Sequence, residues 1–386
     1  MGTGELQNWA MARGLVLGVA PVRTFEEGRA ALEWRARQGF STPFAAGRPE
    51  ERYRPELLYP EARSLVVVAR PHPAPILEPG PGQGVIACYA LGPDYHEELG
   101  RDLGDLAKLL KQSGARLAVT QVDSGPLLER EAARLAGLGY YGASCNLIIP
   151  GLGTAFSLGL VITDLELEPG EPLATATCRN CGRCLAACPT GALLAPGRLN
   201  PELCLSYLTQ KRGFIPPELR PALGGRIWGC DVCQEVCPEN NRWAGAIPFR
   251  PRAGLLQKEQ VQVTPYRQDL AAPPLTYPDL ATILALDKVS FNRIFKGTAL
   301  AWRGKTVLQR NAAIALGNMG DLAALATLRQ ALGAPVAILR AHAAWALGRL
   351  GPAGRPALAA ALATEDDPQV RREIQVALDF KNPGKG

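Results

Sequence analysis

No stretch of the 386 residues approaches the uninterrupted apolar run of about 20 residues that a transmembrane helix needs, which excludes a membrane-spanning protein. The first residues, MGTGELQNWAMARG, also lack the apolar stretch of a secretory signal and a twin-arginine pair. We therefore expect a cytoplasmic protein whose cysteines are free thiols rather than a disulfide framework.

Ten cysteines are present, and two tight runs hold seven of them: Cys178, Cys181, Cys184 and Cys188, then Cys230, Cys233 and Cys237. The first run has the x2-x2-x3 spacing, followed by proline, with which bacterial ferredoxins wrap a four-iron cubane and lend the fourth cysteine to another cluster. The second run is one thiolate short, because Ile227 stands where a further cysteine would fall. Cys204, between the runs, can supply it.

Eight cysteines thus suffice for two 4Fe-4S clusters. The first cluster is assigned to Cys178, Cys181, Cys184 and Cys237, and the second to Cys188, Cys204, Cys230 and Cys233. A pair of zinc sites is the alternative, because zinc also takes four cysteines, although zinc ribbons do not require the proline after each run. The remaining cysteines, Cys88 and Cys145, are expected to be small buried residues.

Positive charge is concentrated in one part of the chain. Residues 246–386 hold 18 Lys+Arg against 10 Asp+Glu, whereas the first 245 residues hold 24 against 26. A basic region attached to a redox region suggests a polyanionic partner, most commonly nucleic acid. An ordinary solubilising surface is the alternative.

The predicted fold is α+β or α/β at the N-terminus, with a ferredoxin-like insert and a helical C-terminus. Apolar, β-branched runs at Ser64–Ala69, Ala115–Asp123 and Ser157–Leu167 alternate with segments of helical spacing, which predicts a layered sheet domain. The predicted domains are 1–172 (α/β, catalytic), 173–245 (ferredoxin-like), 246–300 (connector, extended and proline-rich over Pro248–Pro278) and 301–386 (helical repeats).

The last eighty residues repeat with a period of 31, at Ala315-Leu316-Gly317, Ala346-Leu347-Gly348 and Ala377-Leu378-Asp379. The pattern is typical of a short solenoid of HEAT-like repeats, with small alanines at close helix contacts and a glycine ending each helix. Four cations recur at matching places and could line one ridge that contacts a macromolecule, or be solvated helix ends: Arg310, Arg340, Arg371 and Arg372.

The chain resembles one family closely, the epoxyqueuosine reductases. The resemblance rests on RYRPELLYPEARSLVVVA (52–69), YALGPDYHEEL (89–99), VDSGPLLEREAARLAGLGYYG (122–142), the first cysteine run, and CLSYLTQKRG with GRIWGCDVCQEVCPEN (204–240). It implies reduction of epoxyqueuosine to queuosine at the wobble nucleotide of tRNA. Cob(I)alamin attacks the epoxide, and the two 4Fe-4S clusters supply single electrons.

The resemblance also implies the proton donor, Asp123 of the V-D-S-x-P motif. Asp123 leaves an apolar strand and enters a glycine-proline turn, a place where catalytic residues are found. Burial beside a corrin is expected to raise the pKa of Asp123 so that it holds a proton near neutrality. The alternative is that Asp123 or Ser124 caps the following helix.

The resemblance implies cobalamin bound base-off, without a protein histidine. His96 lies in a near match to the D-x-H-x-x-G cobalamin signature, but Leu99 replaces its glycine, so a structural role is expected for His96. Corrin contacts are expected from the Tyr140–Leu147 loop, the Cys204–Tyr207 segment and the Cys233-Gln234 turn, namely from Ser144, Asn146, Ser206 and Gln234, and also from Asp123.

Expected partners are the tRNA anticodon stem-loop carrying epoxyqueuosine and a low-potential electron donor of flavodoxin or ferredoxin type. The protein is expected to be a monomer. Trp228, Tyr207 and Phe214 are expected to pack in the core, with stacking on a flipped base as the alternative. Two other functions stay open, a reductive dehalogenase acting on a small molecule and a ferredoxin-type electron carrier.

Overall fold

The computed structural model describes residues 1–72, 79–174, 177–240 and 277–380. The chain separates into two compact units, each assembled from segments distant in sequence. The first unit takes Met1–Ile76, Pro93–Glu202 and Asp231–Ala271, and the second takes Leu77–Gly92, Leu203–Cys230 and Ala272–Gly386.

The strands are short except for those of the main sheet. They are β1 (Val16–Pro21), β2 (Ser64–Pro71), β3 (Val85–Ile86), β4 (Ala118–Val122), β5 (Tyr140–Tyr141), β6 (Leu147–Ile148), β7 (Phe156–Thr163), β8 (Leu193–Ala195), β9 (Arg198–Leu199) and β10 (Arg226–Trp228).

The described residues also form sixteen α-helices. They are α1 (Thr3–Met11), α2 (Glu26–Arg37), α3 (Pro49–Tyr53), α4 (Pro55–Leu58), α5 (Tyr95–Gln112), α6 (Glu129–Leu135), α7 (Arg183–Ala187), α8 (Leu205–Gln210), α9 (Val232–Glu235), α10 (Leu280–Ala285), α11 (Lys288–Phe295), α12 (Lys305–Met319), α13 (Leu325–Ala331), α14 (Ala337–Arg349), α15 (Arg355–Leu362) and α16 (Pro368–Asp379). No helix in these described ranges is long and apolar enough to cross a membrane.

The first unit is built on a four-stranded sheet with the order β1-β2-β7-β4, and all its pairs are antiparallel. Alternate residues of β2 enter two separate cores, Leu65 and Val67 on one face and Val66 and Val68 on the other. Helix α6 covers the first face, and α1 and α5 cover the second. The strands predicted from the three apolar runs are confirmed, and the antiparallel pairing makes this a three-layer α+β unit.

Helix α5 positions much of the site described below. Asp94 caps it by accepting a hydrogen bond from the backbone N–H of His96, at 3.0 Å. Its apolar residues recur every three or four positions and are all buried against the sheet: Leu99, Leu103, Leu106 and Leu110. The N-terminus of α5 is thereby fixed relative to the end of β4, which α5 packs against.

The second unit contains the predicted repeats, whose helices α12, α14 and α16 pack in succession. The prediction that glycine ends each helix is wrong, because Gly317 and Gly348 lie inside α12 and α14. A Cβ on Gly317 would lie 2.8 Å from the Cα of Ala346, and one on Gly348 would lie 2.9 Å from the Cβ of Ala377. Each glycine therefore permits the close crossing to the next repeat.

The predicted ridge of arginines is also wrong. Arg310 is fully buried and donates to the backbone carbonyls of Leu208, Lys211 and Gly213 at 2.7–3.0 Å. It therefore ties α12 to the α8 segment instead of facing solvent. Arg340 forms an ion pair with Glu365 at 2.7 Å.

Arg371 and Arg372 are both exposed, and Arg371 donates to the carbonyls of Leu362 and Glu365. The four arginines have different environments, because their positions in the repeats do not determine which of them another segment of the chain covers.

The predicted connector falls mostly outside the described residues. Within its described end, α10 and α11 are helical, and Gly84 N–H donates to the carbonyl of Pro278 at 2.8 Å. The aromatic residues considered for base stacking behave as core: Trp228 is fully buried, Phe214 stacks on the buried His342, and Tyr207 packs in an apolar cluster. Cys88 is buried as expected, and Cys145 is partly buried.

Candidate active site and cluster ligands

Asp123 follows the last residue of β4 and adopts a left-handed backbone conformation, with φ of 52°. Aspartate tolerates this conformation better than most residues. The side chain is 65% exposed and so remains accessible to a ligand. Helix α6 begins only at Glu129, with Leu128 at its N-cap, so the capping role considered for Asp123 and Ser124 is wrong.

Two neighbouring side chains from the start of α5 bind the Asp123 carboxylate. Tyr95 Oη donates to Oδ2 at 2.9 Å, and His96 Nε2 lies 3.4 Å from the same oxygen. The other ring nitrogen of His96, Nδ1, lies 2.7 Å from Asp94 Oδ1. The rings of Tyr95 and His96 stack with centroids 4.0 Å apart. His96 thus bridges two carboxylates, and both of its ring nitrogens are occupied.

In this arrangement His96, rather than Asp123, holds the proton of their hydrogen bond. Burial disfavours the charged ring, but hydrogen bonds and charge from Asp123 and Asp94 outweigh it and raise the pKa of His96 to about 9. The hydrogen bond from His96 holds the pKa of Asp123 below its usual value, and the hydrogen bond from Tyr95 acts in the same direction. The raised pKa expected for Asp123 beside a bound corrin stays a prediction. At neutral pH the proton sits on His96.

Glu129 fixes the backbone of Asp123. Its Oε1 accepts hydrogen bonds from the Asp123 N–H at 2.7 Å and from Gln121 Nε2 at 3.1 Å. Burial, with a smaller effect from the Asp123 charge, raises the pKa of Glu129 to about 8. Glu129 is thus a second group that carries a proton near neutrality.

Six of the eight predicted cluster ligands lie in the first unit, and Cys204 and Cys230 lie in the second. The thiols of the predicted first cluster are close enough to affect one another. Besides burial, Cys178 and Cys237 raise the pKa of Cys184, and Cys178 and Cys181 raise that of Cys237. In the described residues, no three His, Cys, Asp or Glu side chains form a group around a single metal ion.

Two of the cysteines assigned to the predicted second cluster, Cys188 and Cys233, have different neighbours in the structure. Burial raises the pKa of Cys188, but hydrogen bonds from the backbone of Leu193 and Thr190 outweigh it, so the net shift is downward. Cys233 accepts a contact from Asn146 Nδ2 at 3.7 Å. The grouping of Cys188 and Cys233 with Cys204 and Cys230 stays a prediction.

Besides Asp123, three of the predicted corrin contacts lie in the first unit. Asn146 Nδ2 is 3.3 Å from Ser144 Oγ, in addition to its contact with Cys233. Gln234, next to Cys233, accepts from Thr154 Oγ1 at 2.9 Å and donates to Asp231 at 2.8 Å.

The remaining predicted contact, Ser206, lies in the second unit, on α8, where Gln210 Nε2 donates to its carbonyl at 2.8 Å.

Sequence reasoning missed the partners of Asp123. Tyr95 and His96 stand in a motif that the resemblance used, but nothing in the sequence joins them to a residue 27 or more positions later. Glu129 was taken only as part of a helix. Long-range packing, which places the start of α5 at the end of β4, brings these residues together.

Three family models match separate parts of the chain. The model of a 4Fe-4S double cluster binding domain matches residues 177–240, and the HEAT repeat model matches residues 300–379. The Epoxyqueuosine reductase QueG model matches residues 52–124, the segment that ends just after Asp123. A double-cluster region combined with these elements defines an iron-sulfur oxidoreductase, and the cluster model favours clusters over zinc.

Full-length comparisons give the family. The chain is 33% identical to the epoxyqueuosine reductase of Bacillus subtilis (strain 168), over 97% of this chain and 95% of the relative. It also matches a crystal structure of epoxyqueuosine reductase with an epoxyqueuosine-modified tRNA-Tyr stem loop, with 32% identity, 97% coverage of each chain and a TM-score of 0.84.

A Bacillus subtilis structure with an aspartate-bearing catalytic loop swung out of the active site matches with the same TM-score and identity, over 97% and 98% of the two chains. The chain belongs to the epoxyqueuosine reductase family.

Proposed function

We propose that this chain reduces epoxyqueuosine to queuosine at the wobble position of tRNA, using cobalamin and two 4Fe-4S clusters. Removal of the epoxide oxygen as water consumes two electrons and two protons. The observation that carries the proposal is the accessible Asp123 carboxylate, held by Tyr95 and His96, in a chain whose relatives bear this activity in their names. The alternatives, a dehalogenase and a simple electron carrier, lack this support.

Cobalamin, when bound, would supply the nucleophile that opens the epoxide. The chain fits a base-off cofactor that has polar contacts and no histidine ligand. Asn146 contacts both Ser144 and Cys233, Gln234 follows Cys233 in the chain, and both nitrogens of His96 are already engaged. Together with Ser206, these three residues are the proposed contacts.

The proposed role of Asp123 is to deliver the proton that the opening epoxide oxygen needs. Because the pKa of His96 is about 9 and that of Asp123 is lowered, the pair holds one proton at neutral pH, on the histidine side of the hydrogen bond. A developing negative charge near Asp123 would draw the proton across to the carboxylate and then to the substrate. Tyr95 orients the carboxylate throughout.

The proposed macromolecular partner is the anticodon stem-loop of tRNA. A relative has been solved with such a stem loop, and the positive charge of residues 246–386 suits a polyanion. A flavodoxin or ferredoxin is the proposed electron donor, and the proposed state is a cytoplasmic monomer.

The test is anaerobic turnover of epoxyqueuosine-containing tRNA with a low-potential reductant, with and without cobalamin, followed by mass analysis of the nucleoside. We expect cobalamin-dependent loss of one oxygen. Asp123→Asn should lower the rate by about 10²–10⁴-fold, the usual contribution of a positioned proton donor. Asp105→Asn, an exposed position on α5, is the matched control and should leave the rate unchanged.

If the protein carries its clusters and cobalamin and the nucleoside keeps its oxygen, the tRNA substrate is wrong. Turnover of a halogenated or epoxide-bearing small molecule under the same conditions would then favour a small-molecule reductase.

A further inference from the structure

Gln121, on β4, is buried although its side chain is polar, and only 6% of its surface is exposed. The next residue, Val122, packs in the core beneath α5, so the side chain of Gln121 points to the opposite face of the sheet. A buried amide is costly unless its donors and its acceptor are paired. The partners of Gln121 therefore show what a glutamine does at this position.

The amide of Gln121 reaches the chain that leaves β4. Its Oε1 accepts from the N–H of Leu127 at 3.2 Å, and its Nε2 donates to the carbonyl of Leu127 at 3.0 Å. Nε2 also donates to Oε1 of Glu129 at 3.1 Å. We call these three hydrogen bonds the amide clasp, and the segment 123–128 the Asp123 loop. The clasp uses the acceptor and both donors of the amide, and it closes the loop.

The far end of the Asp123 loop is itself fixed. Leu127 is buried, with 4% of its surface exposed, in the core that α6 covers. The N–H of Leu128 donates to the carbonyl of Arg52 at 3.1 Å. The amide clasp therefore joins the start of the loop to a point that the core and the backbone already hold.

Gly125, in the middle of the Asp123 loop, lies directly against the amide. A Cβ on Gly125 would overlap the side chain of Gln121, whose Cγ, Cδ and Oε1 atoms are the nearest. The absence of a side chain at Gly125 therefore lets the loop close over the amide. The glycine and proline of this segment indicate a turn in the sequence, but the contact with Gln121 arises from the fold.

Asp123 lies between the two points that the clasp joins. Its N–H donates at 2.7 Å to Oε1 of Glu129, the same oxygen to which Gln121 donates. Its side chain lies 2.9 Å from Tyr95 Oη and 3.4 Å from His96 Nε2. The second distance is long for a hydrogen bond, so a small displacement of the loop would break this contact.

We propose that Gln121 is a positioning residue for proton delivery, whose amide clasp holds the Asp123 loop where the carboxylate meets His96. The proposal deepens the proposed function and rests on it. Gln121 acts through Glu129 and the loop backbone, and its own amide is fully used by the clasp. Without the clasp, the carboxylate would turn toward solvent, and proton transfer requires donor and acceptor within hydrogen-bond reach.

The first measurement is the single-turnover rate of prereduced protein, loaded with its clusters and cobalamin, on an epoxyqueuosine-containing stem-loop. Gln121→Met nearly keeps the size of the side chain and removes the amide clasp. The rate at saturating stem-loop should fall about tenfold to hundredfold, because a misplacement of about 1 Å costs up to about this much. The stem-loop concentration that gives half of the maximal rate should not change.

Gln309→Met is the matched control. Gln309 is also buried, with 4% of its surface exposed, and its Nε2 donates to the carbonyls of Leu284 and Leu286 at 2.8 and 2.9 Å. It lies in the second unit. Gln309→Met should lower the melting temperature about as much as Gln121→Met and leave the single-turnover rate unchanged. An equal loss of rate in both variants would indicate general destabilisation and overturn the proposal.

The second measurement does not require turnover. The chain has three histidines, so the ring signals of His96 can be assigned in ¹H–¹⁵N spectra by comparison with His96→Gln and followed through a pH titration. In the wild type, His96 should titrate with a pKa of about 9. In Gln121→Met this pKa should fall toward its value in Asp123→Asn, because His96 loses the charge of the same carboxylate in both variants.

Gly125→Ala tests the clasp from its other side, because it keeps the amide and displaces it. It should reproduce the loss of rate and the lower His96 pKa, and the double variant with Gln121→Met should add little to either. It also provides the test if Gln121→Met does not fold.

A folded Gln121→Met or Gly125→Ala in which His96 keeps its wild-type pKa would overturn the proposal, even if the rate fell, because Asp123 would still lie beside His96. If the wild type does not turn over the stem-loop, the proposed function fails. The His96 titration then still decides whether the clasp positions Asp123, so the two failures are distinguished.

Discussion

At the scale of single residues, His96 and Asp123 share the proton of the site, which Asp123 does not hold alone. His96 donates toward Asp123 and Asp94, and each hydrogen bond stabilises its charged form. The same bond makes Asp123 a weaker base toward solvent while leaving its exposed side available to substrate. Asp123 therefore remains charged until a stronger base, such as an opened epoxide, develops beside it.

The first prediction concerns the pH dependence of turnover. Because the pKa of His96 is raised to about 9, the rate should be constant near neutrality and fall as the pH rises through about 9, where the stored proton is lost. His96→Gln should lower the neutral-pH rate by about 10² and remove this alkaline limb. Rates at saturating reductant between pH 6 and 10 provide the measurement.

Glu129→Gln serves as the control for that profile, because it also removes a nearby titrating group yet should retain the alkaline limb. A limb that disappears in Glu129→Gln and persists in His96→Gln would contradict the assignment to His96.

The second prediction concerns stability at Glu129. Its folded pKa of about 8 lies above the unfolded value near 4.5, so its contribution is fully present below about pH 4.5 and is lost as the pH rises through 8. Glu129→Gln keeps an oxygen acceptor for the Asp123 N–H and removes the ionisation. We expect a melting temperature that equals or exceeds the wild type at pH 8.5, with the gap closing at pH 5.

Thermal unfolding at both pH values measures this effect, with the exposed Glu61→Gln as control. A gap that widens toward acid pH would be inconsistent with a neutral Glu129 in the folded protein.

At the scale of elements, the sequence predicted what depends on local spacing. The cysteine runs, the strands β2, β4 and β7 and the period of the C-terminal helices are all short-range patterns. The role of Arg310 was missed because it depends on the α8 segment, about one hundred residues away, whose carbonyls it binds. The partners of Asp123 likewise arise from packing between distant segments.

The glycines of the repeats show the same limit of sequence-based prediction, because their role depends on the next helix. They give the third prediction. Gly348→Ala should destabilise the protein by about 1–3 kcal/mol, because the new Cβ would lie 2.9–3.0 Å from Ala377 atoms of the next helix. The same substitution at Gly104, inside α5 with nothing within 4 Å, should stabilise it by about 0.5–1 kcal/mol through helix propensity.

Urea unfolding of the two variants provides the measurement. Opposite signs are the expected outcome. Equal effects would mean that the helix crossing at Gly348 adjusts without strain.

At the scale of the whole molecule, the distribution of charge decides how a polyanion approaches. Residues 246–386 carry the positive excess of the chain, and the first 245 residues are slightly negative, so the proposed tRNA partner would be attracted mainly by cations of the C-terminal part of the chain. Arg310 and Arg340 should contribute little to contacts with a polyanion, because Arg310 is buried and Arg340 is paired with Glu365. The remaining exposed cations must supply most of the attraction.

The last prediction is that stem-loop binding weakens steeply with salt. Three or four phosphate contacts correspond to a loss of about tenfold to hundredfold in affinity between 50 and 200 mM KCl. Long-range attraction acts mainly on encounter, so the association rate should fall with salt more than the dissociation rate rises. Stopped-flow binding at several KCl concentrations separates the two. Tight binding with a salt slope near zero would mean that recognition rests on the modified base and its pocket instead of the backbone.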